Sequence, residues 1–307
     1  MNIVWSSDEN YVQHLSVSLL SLLESNQSAT ELNCYIISNN ISKDSCRELE
    51  KLAARYERQI NWIDFAPFKA RLELNMAWQI SISSYARLFL QEMLPESIER
   101  VLYLDCDTVV CDSLQSLFEL DLGDCCVGGV RDFISASLKK AVELSEDATY
   151  INAGILLIDL QAWRRDCVLD SFLGYIDSQN GRVIHHDQGV VNHCLHDRIH
   201  VLHPRFNAMT PLFTQSFCSI QTIWGEYYTR SVYREAIDAP TIIHFTPGFT
   251  TQVWDVKCRH PLRERYFHYL DQTIWKGRIT DKHVPFKYRI INWIALNMPK
   301  IYALILG

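Results

Sequence analysis

Along the chain, short wholly apolar runs alternate with longer stretches in which apolar positions recur every third or fourth residue. The runs Ile3–Trp5, Cys34–Ser38, Ile60–Asp64, Val101–Asp105, Cys126–Val130, Ile155–Asp159 and Thr241–Phe245 predict buried strands. Between the first two, Tyr11, Leu15, Leu19, Leu22 and Leu23 make a helical stripe from Tyr11 to Glu24. Ser42 to Tyr56 repeats the idea, with Ser42 as the N-cap. This strand–helix–strand alternation predicts an α/β fold: a mostly parallel sheet covered by helices on both faces.

In such sheets ligands bind beyond the carboxyl ends of the strands. The first strand ends in Ser6-Ser7-Asp8-Glu9-Asn10, the fourth in Asp105-Cys106-Asp107 and the last at His244, so polar clusters fall where a ligand is expected. The stretch from Asn207 to Tyr228, with Pro211, Gly225 and several aromatic and hydroxyl residues, reads as a long irregular loop or lid. The tail from about Lys282 changes character. Lys282, Lys287, Arg289 and Lys300 are interleaved there with Phe286, Tyr288, Trp293, Ile301 and Tyr302.

Composition narrows the partners. At 307 residues and 48% hydrophobic, the chain can bury a sizeable core. A net charge of −7 argues against nucleic acid and requires that any anionic substrate be held locally, by a metal or by backbone amides. The ten cysteines include no C-x-x-C pair, which reads as reduced thiols in a reducing compartment. No signal-peptide pattern and no apolar run of membrane-spanning length is expected from this sequence, so the protein should face the cytoplasm.

In Leu102-Tyr103-Leu104-Asp105-Cys106-Asp107 an apolar strand ends in carboxylates at i and i+2, which extended backbone turns to one side. Such a pair can grip one divalent cation, and a departing pyrophosphate needs that cation to neutralise its charge. The same residues also read as two solvated turn aspartates. His244 reads either as a third ligand or as a hydrogen-bonded core histidine, depending on whether the two strand ends converge. Two carboxylates and an imidazole favour Mn²⁺, with Mg²⁺ the alternative. A haloacid-dehalogenase-like phosphatase also matches, since Asp105-x-Asp107-x-Val109 fits its strand, with Asp105 as nucleophile and Asp107 as acid/base. No G-x-G-x-x-G and no P-loop is present, and His193, His196, His200 and His203 lack a metal-binding spacing.

Five segments, in order, resemble family 8 retaining glycosyltransferases, which include bacterial lipooligosaccharide galactosyl- and glucosyltransferases and glycogenin relatives. They are Ile3 to Tyr11, Ser83-Ser84-Tyr85-Ala86-Arg87-Leu88, Val101 to Asp107, Tyr150-Ile151-Asn152-Ala153-Gly154-Ile155 and His186-Asp187-Gln188-Gly189. The resemblance implies a GT-A type sheet over residues 1–258 and a C-terminal helical, basic-aromatic tail over 259–307. It implies that Ser6, Asp8, Asn10 and Tyr11 hold the uridine of a UDP-hexose, with Tyr11 stacking on the base. Asp105, Asp107 and His244 would bind Mn²⁺, and Asp107 would also lie near the ribose or diphosphate. Arg87, Asp105, Asn152, Asp187 and Gln188 would surround the hexose, glucose or galactose, bound for a glycan or glycolipid acceptor. Read without the resemblance, Asp187 is a helix cap, Asn152 a turn residue and Arg87 a surface residue.

One segment departs from the family pattern. After His244, Gly248 and Trp254 persist beside the diphosphate position, but a Thr/Gln stretch replaces the family's lysine. Either Lys257 or Arg259 substitutes, or the protein is an impaired UDP-sugar binder. Retention requires either a double displacement with Asp187 as nucleophile or a front-face attack, the preferred reading. The tail is expected to meet the inner face of the membrane or to pack on the domain or in a homo-oligomer.

Overall fold

The structure is a computed structural model; it describes residues 1–72, 74, 81–225, 227–246 and 248–306. Its strands are β1 (Asn2–Asp8), β2 (Asn33–Asn39), β3 (Ile60–Asp64), β4 (Arg100–Leu104), β5 (Thr108–Val110), β6 (Val127–Gly129), β7 (Ile155–Asp159), β8 (Ile199–Val201), β9 (Ala208–Met209) and β10 (Ile242–His244). Seven of them form one sheet in the order β3-β2-β1-β4-β7-β6-β8. All neighbours run parallel except at β7, which is antiparallel to both β4 and β6. The apolar runs become strands buried on both faces: Ile3, Val4, Trp5, Val101, Leu102 and Ile155 to Ile158 are buried.

Helix α1 (Val12–Ser25) lies under this sheet and α2 (Lys43–Ala54) beside it, capped by Ser42, whose hydroxyl accepts from Ser45 N at 3.2 Å. The α1 stripe is broader than its leucines suggest, because Ser16, Ser18 and Ser21 are buried too. Ser18 Oγ accepts from Trp5 Nε1 at 2.9 Å and meets Thr108 Oγ1 at 2.7 Å, while Ser21 Oγ accepts from Val110 N at 2.9 Å. Small hydroxyl side chains thus let α1 approach β5 closely and satisfy the buried amide of Val110.

A second sheet, β5-β10-β9, decides the site. The chain leaves β4 through Asp105-Cys106-Asp107 and enters β5 at Thr108, so these three residues form a turn between two sheets rather than the extended end of one strand. Strands β5 and β10 pair antiparallel with Thr108 opposite His244, and Phe245 N donates to Asp107 O at 2.9 Å. That register brings the late histidine beside the turn.

The expected loop from Asn207 to Tyr228 is mostly ordered. It holds β9, the helix Thr210–Thr214 and the helix Phe217–Trp224. Pro211 sits in the first turn of its helix, where its missing N–H costs nothing, and Ser216 caps the next, accepting from Ser219 N at 3.1 Å. Glu226, within that stretch, lies outside the described residues.

Beyond residue 258, Tyr266, Leu270 and Trp275 are buried in the core that includes α1. The helices Phe286–Asn297 and Pro299–Leu306 follow, leaving Phe286, Tyr288, Trp293, Ile301, Leu304 and Ile305 exposed. Among the described residues no helix is long and apolar enough to cross a membrane.

Candidate active site

Asp105, Asp107 and His244 are the one group among the described residues whose ligating atoms could share a cation; those atoms lie within 4.8 Å of one another. His244 Nε2 stands 3.2 Å from Asp107 Oδ1 and 3.9 Å from Asp105 Oδ2. Its other ring nitrogen, Nδ1, meets Asn207 Oδ1 at 3.0 Å, which orients Nε2 toward the carboxylates. Burial alone would lower the His244 pKa, but Asp107 outweighs it and raises the value. Burial would likewise raise Asp107, yet His244 holds it below the ordinary carboxylate range; burial raises Asp105 despite Arg87.

The cradle fits a cation. Gly154 closes one side, and a Cβ there would come within 2.3 Å of His244 Cε1 and 2.7 Å of Asp105 Oδ2. Asp105 and Asp187 share the guanidinium of Arg87, while Asp107 has only the His244 imidazole beside it, which leaves uncompensated negative charge for a cation to meet. Oxygen ligands plus one imidazole suit Mn²⁺ or Mg²⁺.

That guanidinium belongs to Arg87, on the 3-10 helix Ile82–Phe89, and it is buried, contrary to the surface alternative. It donates from Nη2 to Asp105 Oδ1 and from Nε to Asp187 Oδ2, both at 2.8 Å, and from Nη1 to Ala153 O. Its face covers the Tyr103 ring at 4.3 Å. Asp187 does not cap its helix, His186–Leu195, either. It takes Arg87 on one oxygen and Ser84 Oγ on the other, at 2.5 Å. Two left-handed residues, His185 and His186, present it and Gln188 from the helix start, and Gly189 lacks room for a side chain, its Cβ falling 2.0 Å from Ile184 O.

Gln188 and Asn152 form a linked floor. Gln188 Oε1 accepts from Ala153 N at 2.9 Å, while Gln188 Nε2 donates to Asp132 Oδ2 at 2.7 Å. Asn152 Oδ1 accepts from Gly154 N at 3.0 Å and from Asn207 Nδ2 at 2.9 Å. Asp132 and Asn207 escaped the sequence reading. Asp132 follows a strand end, as Asp8 and Asp105 do, and that rule extended to β6 finds it; Asn207 carries no comparable signal.

At the end of β1, Asp8 accepts from Asn10 N at 2.9 Å and from Ser81 Oγ at 2.5 Å, and Ser6 Oγ donates to Ser83 O at 2.7 Å. Tyr11 is partly exposed, edge-on to Trp254 at 6.1 Å; burial and the nearby Asp107 raise its pKa. Gly248 packs across the recess against Pro211, whose Cγ would lie 2.9 Å from a Cβ. Its neighbour Pro247 lies outside the described residues. Lys257 is committed elsewhere, paired with Asp281.

A cavity of about 430 Å³ opens beside this floor, with Asp132, Asn152 and Gln188 at its base and mostly apolar walls.

The sheet, the Asp-x-Asp turn and the facing histidine together describe a sugar-transferring enzyme of the GT-A type. Residues 2–256 match the family described as Glycosyl transferase family 8, and the chain belongs to it: it is a glycosyltransferase. The phosphatase reading falls with that assignment. The chain is 29% identical over 280 residues to General stress protein A of Bacillus subtilis (strain 168), covering 90% of this chain and 94% of that one. It is 26% identical over 283 residues to a lipopolysaccharide 1,2-glucosyltransferase of Escherichia coli (strain K12), covering 90% and 79%. Among solved structures, the galactosyltransferase LgtC in complex with donor and acceptor sugar analogues matches with a TM-score of 0.74 and 26% identity, over 94% of this chain and 99% of that one.

Proposed function

We propose that the enzyme moves glucose or galactose from a UDP-hexose to a hydroxyl of a glycan or glycolipid of the lipopolysaccharide or polysaccharide type, with retention, and depends on Mn²⁺. The observation that carries this reading is the convergence of Asp105, Asp107 and His244 beside the β1 end and the polar floor. Asp105, Asp107 and His244 would hold the ion, which supplies Lewis-acid neutralisation of the diphosphate. Ser6, Asp8, Asn10 and Tyr11 are assigned to the uridine, and Arg87, Asn152, Asp187 and Gln188 to the hexose.

The hydrogen bonding supports front-face attack over double displacement. Both Asp187 oxygens are engaged, one by Arg87 and one by Ser84, which lowers their nucleophilicity. Gln188 turns its carbonyl oxygen to a backbone amide. Neither is free beneath the sugar, so the acceptor hydroxyl enters beside the leaving phosphate and passes its proton to it. In place of the family's lysine we assign Lys282 to the diphosphate. Its ammonium has no ion-pair partner among the described residues, and its charge reaches His14 on α1.

We assign residues 1–258 to the catalytic domain, whose core Tyr266, Leu270 and Trp275 complete, and the rest of 259–307 to the tail, whose exposed Phe286, Tyr288 and Trp293 beside Lys287 and Arg289 suit peripheral contact with an anionic membrane. Trp293→Ser with Leu304→Ser should weaken binding to anionic vesicles; unchanged binding overturns that contact.

The test is a UDP-sugar panel with Mn²⁺ or Mg²⁺, scoring UDP release and metal-dependent thermal shift. UDP-glucose or UDP-galactose should be hydrolysed slowly, and Asp107→Asn should abolish this with the Mn²⁺ response. Binding of UDP and Mn²⁺ without any turnover would favour a degenerate sugar-nucleotide binder. Full Mn²⁺-dependent activity in Asp107→Asn would remove the metal assignment.

A further inference from the structure

The cavity beside the floor has a wall that comes from the far end of the chain. Tyr302, on the helix Pro299–Leu306, lines it together with Phe133, Trp224 and Phe249. Tyr302 meets Phe249 edge-on, with ring centroids 5.2 Å apart and planes at 87°, and Phe249 stacks on Trp224 at 6.4 Å and 27°. The helix itself lies along the helix Phe217–Trp224. Ile301, Leu304 and Ile305 face outward on it, whereas Tyr302 is half-buried and turned to the cavity. A cluster of aromatic rings opposite a floor of Asp132 and Gln188 has a definite chemical preference. A pyranose ring carries an apolar C–H face and a polar hydroxyl rim: rings cover the first, and carboxylate and amide groups read the second.

We propose that the C-terminal helix is part of the acceptor site, with Tyr302 as a specificity-determining wall against which the pyranose ring of the acceptor stacks while Asp132 accepts from its hydroxyl edge. This rests on the transfer of a hexose from UDP-hexose proposed above. The tail is then more than an attachment: without it the acceptor pocket lacks one aromatic face.

The experiment uses the full chain with whichever UDP-hexose it hydrolyses, and glucose, galactose, N-acetylglucosamine and lactose as acceptor probes. Tyr302→Ala and Tyr302→Leu should each raise the acceptor KM roughly tenfold, while donor KM and kcat stay within about twofold and Tyr302→Phe restores the acceptor KM. An acceptor KM within about twofold of wild type in both variants overturns the proposal. So does a parallel rise in donor KM, which would signal a general disturbance of the fold, or a wild type that hydrolyses UDP-hexose but transfers to none of the pyranose probes. A wild type that hydrolyses no UDP-hexose defeats the underlying reading instead, which separates the two failures.

Discussion

Adding one methyl group at Gly154 tests the metal cradle without touching a ligand. An alanine Cβ there would sit 2.3 Å from His244 Cε1 and 2.7 Å from Asp105 Oδ2, whereas a carbon needs about 3.5–4.0 Å. The shortfall toward the imidazole exceeds about 1 Å, and neither neighbour can easily yield. His244 is pinned by Asn207 at 3.0 Å and by strand pairing on both sides. Asp105 is held by Arg87 at 2.8 Å and through its own backbone N by Gly154 O at 2.7 Å. The strain therefore falls on the spacing of the ligand atoms. We expect Gly154→Ala to cost about 1–3 kcal/mol of metal-free stability as overpacking. A displacement of about 1 Å should lower Mn²⁺-dependent UDP release roughly a hundredfold. The assay is thermal melting with and without Mn²⁺, and UDP release against Mn²⁺ concentration. Gly174→Ala is the control: Gly174 lies in the helix Val168–Ser178 with nothing within 4 Å of the added carbon, so it should gain about 0.5–1 kcal/mol and keep its metal response. If Gly154→Ala melts and turns over with an undiminished Mn²⁺ response, the cradle is not where the cation binds.

Three further outcomes follow from the same geometry. Asn207→Ala removes the partner that orients His244 and should weaken Mn²⁺ binding about 10–100-fold by calorimetry; unchanged affinity would show that the strand register alone fixes the ring. Lys282→Ala should raise the donor KM roughly tenfold or more if its ammonium meets the diphosphate, and an unchanged donor KM removes that assignment. Burial depresses His14 and His260 from 6.5 to about 4, so the unfolded chain binds more protons between those values. Stability should be full above pH 6.5 and fall as pH drops toward 4, by up to about 3 kcal/mol for His14. Urea melts at pH 7 and pH 5 should show the slope, and His14→Gln should flatten part of it; an identical slope in the variant contradicts the assignment.

Much of the architecture could be read from residue patterns because a sheet buried on both faces writes itself as uninterrupted apolar runs. β1 to β4, β6, β7 and β10 announce themselves in this way. Strands β5, β8 and β9 do not: β5 follows β4 after only three residues, β8 is an incompletely buried Ile199-His200-Val201 with no continuous apolar run, and β9 is 2 residues long. Misreading Asp105-x-Asp107 as extended backbone follows from missing β5, since only a second sheet explains a turn at that point. The stretch after Asn207 reads as a loop because Pro211 breaks a helical pattern from within, whereas in the structure it stands at the head of a helix and starts one. Site residues at strand ends were accessible to a fold rule. Asn207 was not, because its importance arises from a contact with His244, 37 residues away. Asp187 reads as a cap from its local position alone and as a site residue only through the resemblance, because its partner Arg87, which takes one of its oxygens, lies a hundred residues earlier.

The turn that carries Asp105 and Asp107 is also the hinge between the seven-stranded and three-stranded sheets, and His244 lies on the smaller one. A cation held by all three would act as a rivet joining the two layers. Loading the enzyme would then stiffen β9 and β10, with the pocket residues Met209 and Pro211 at their edge, before any acceptor arrived.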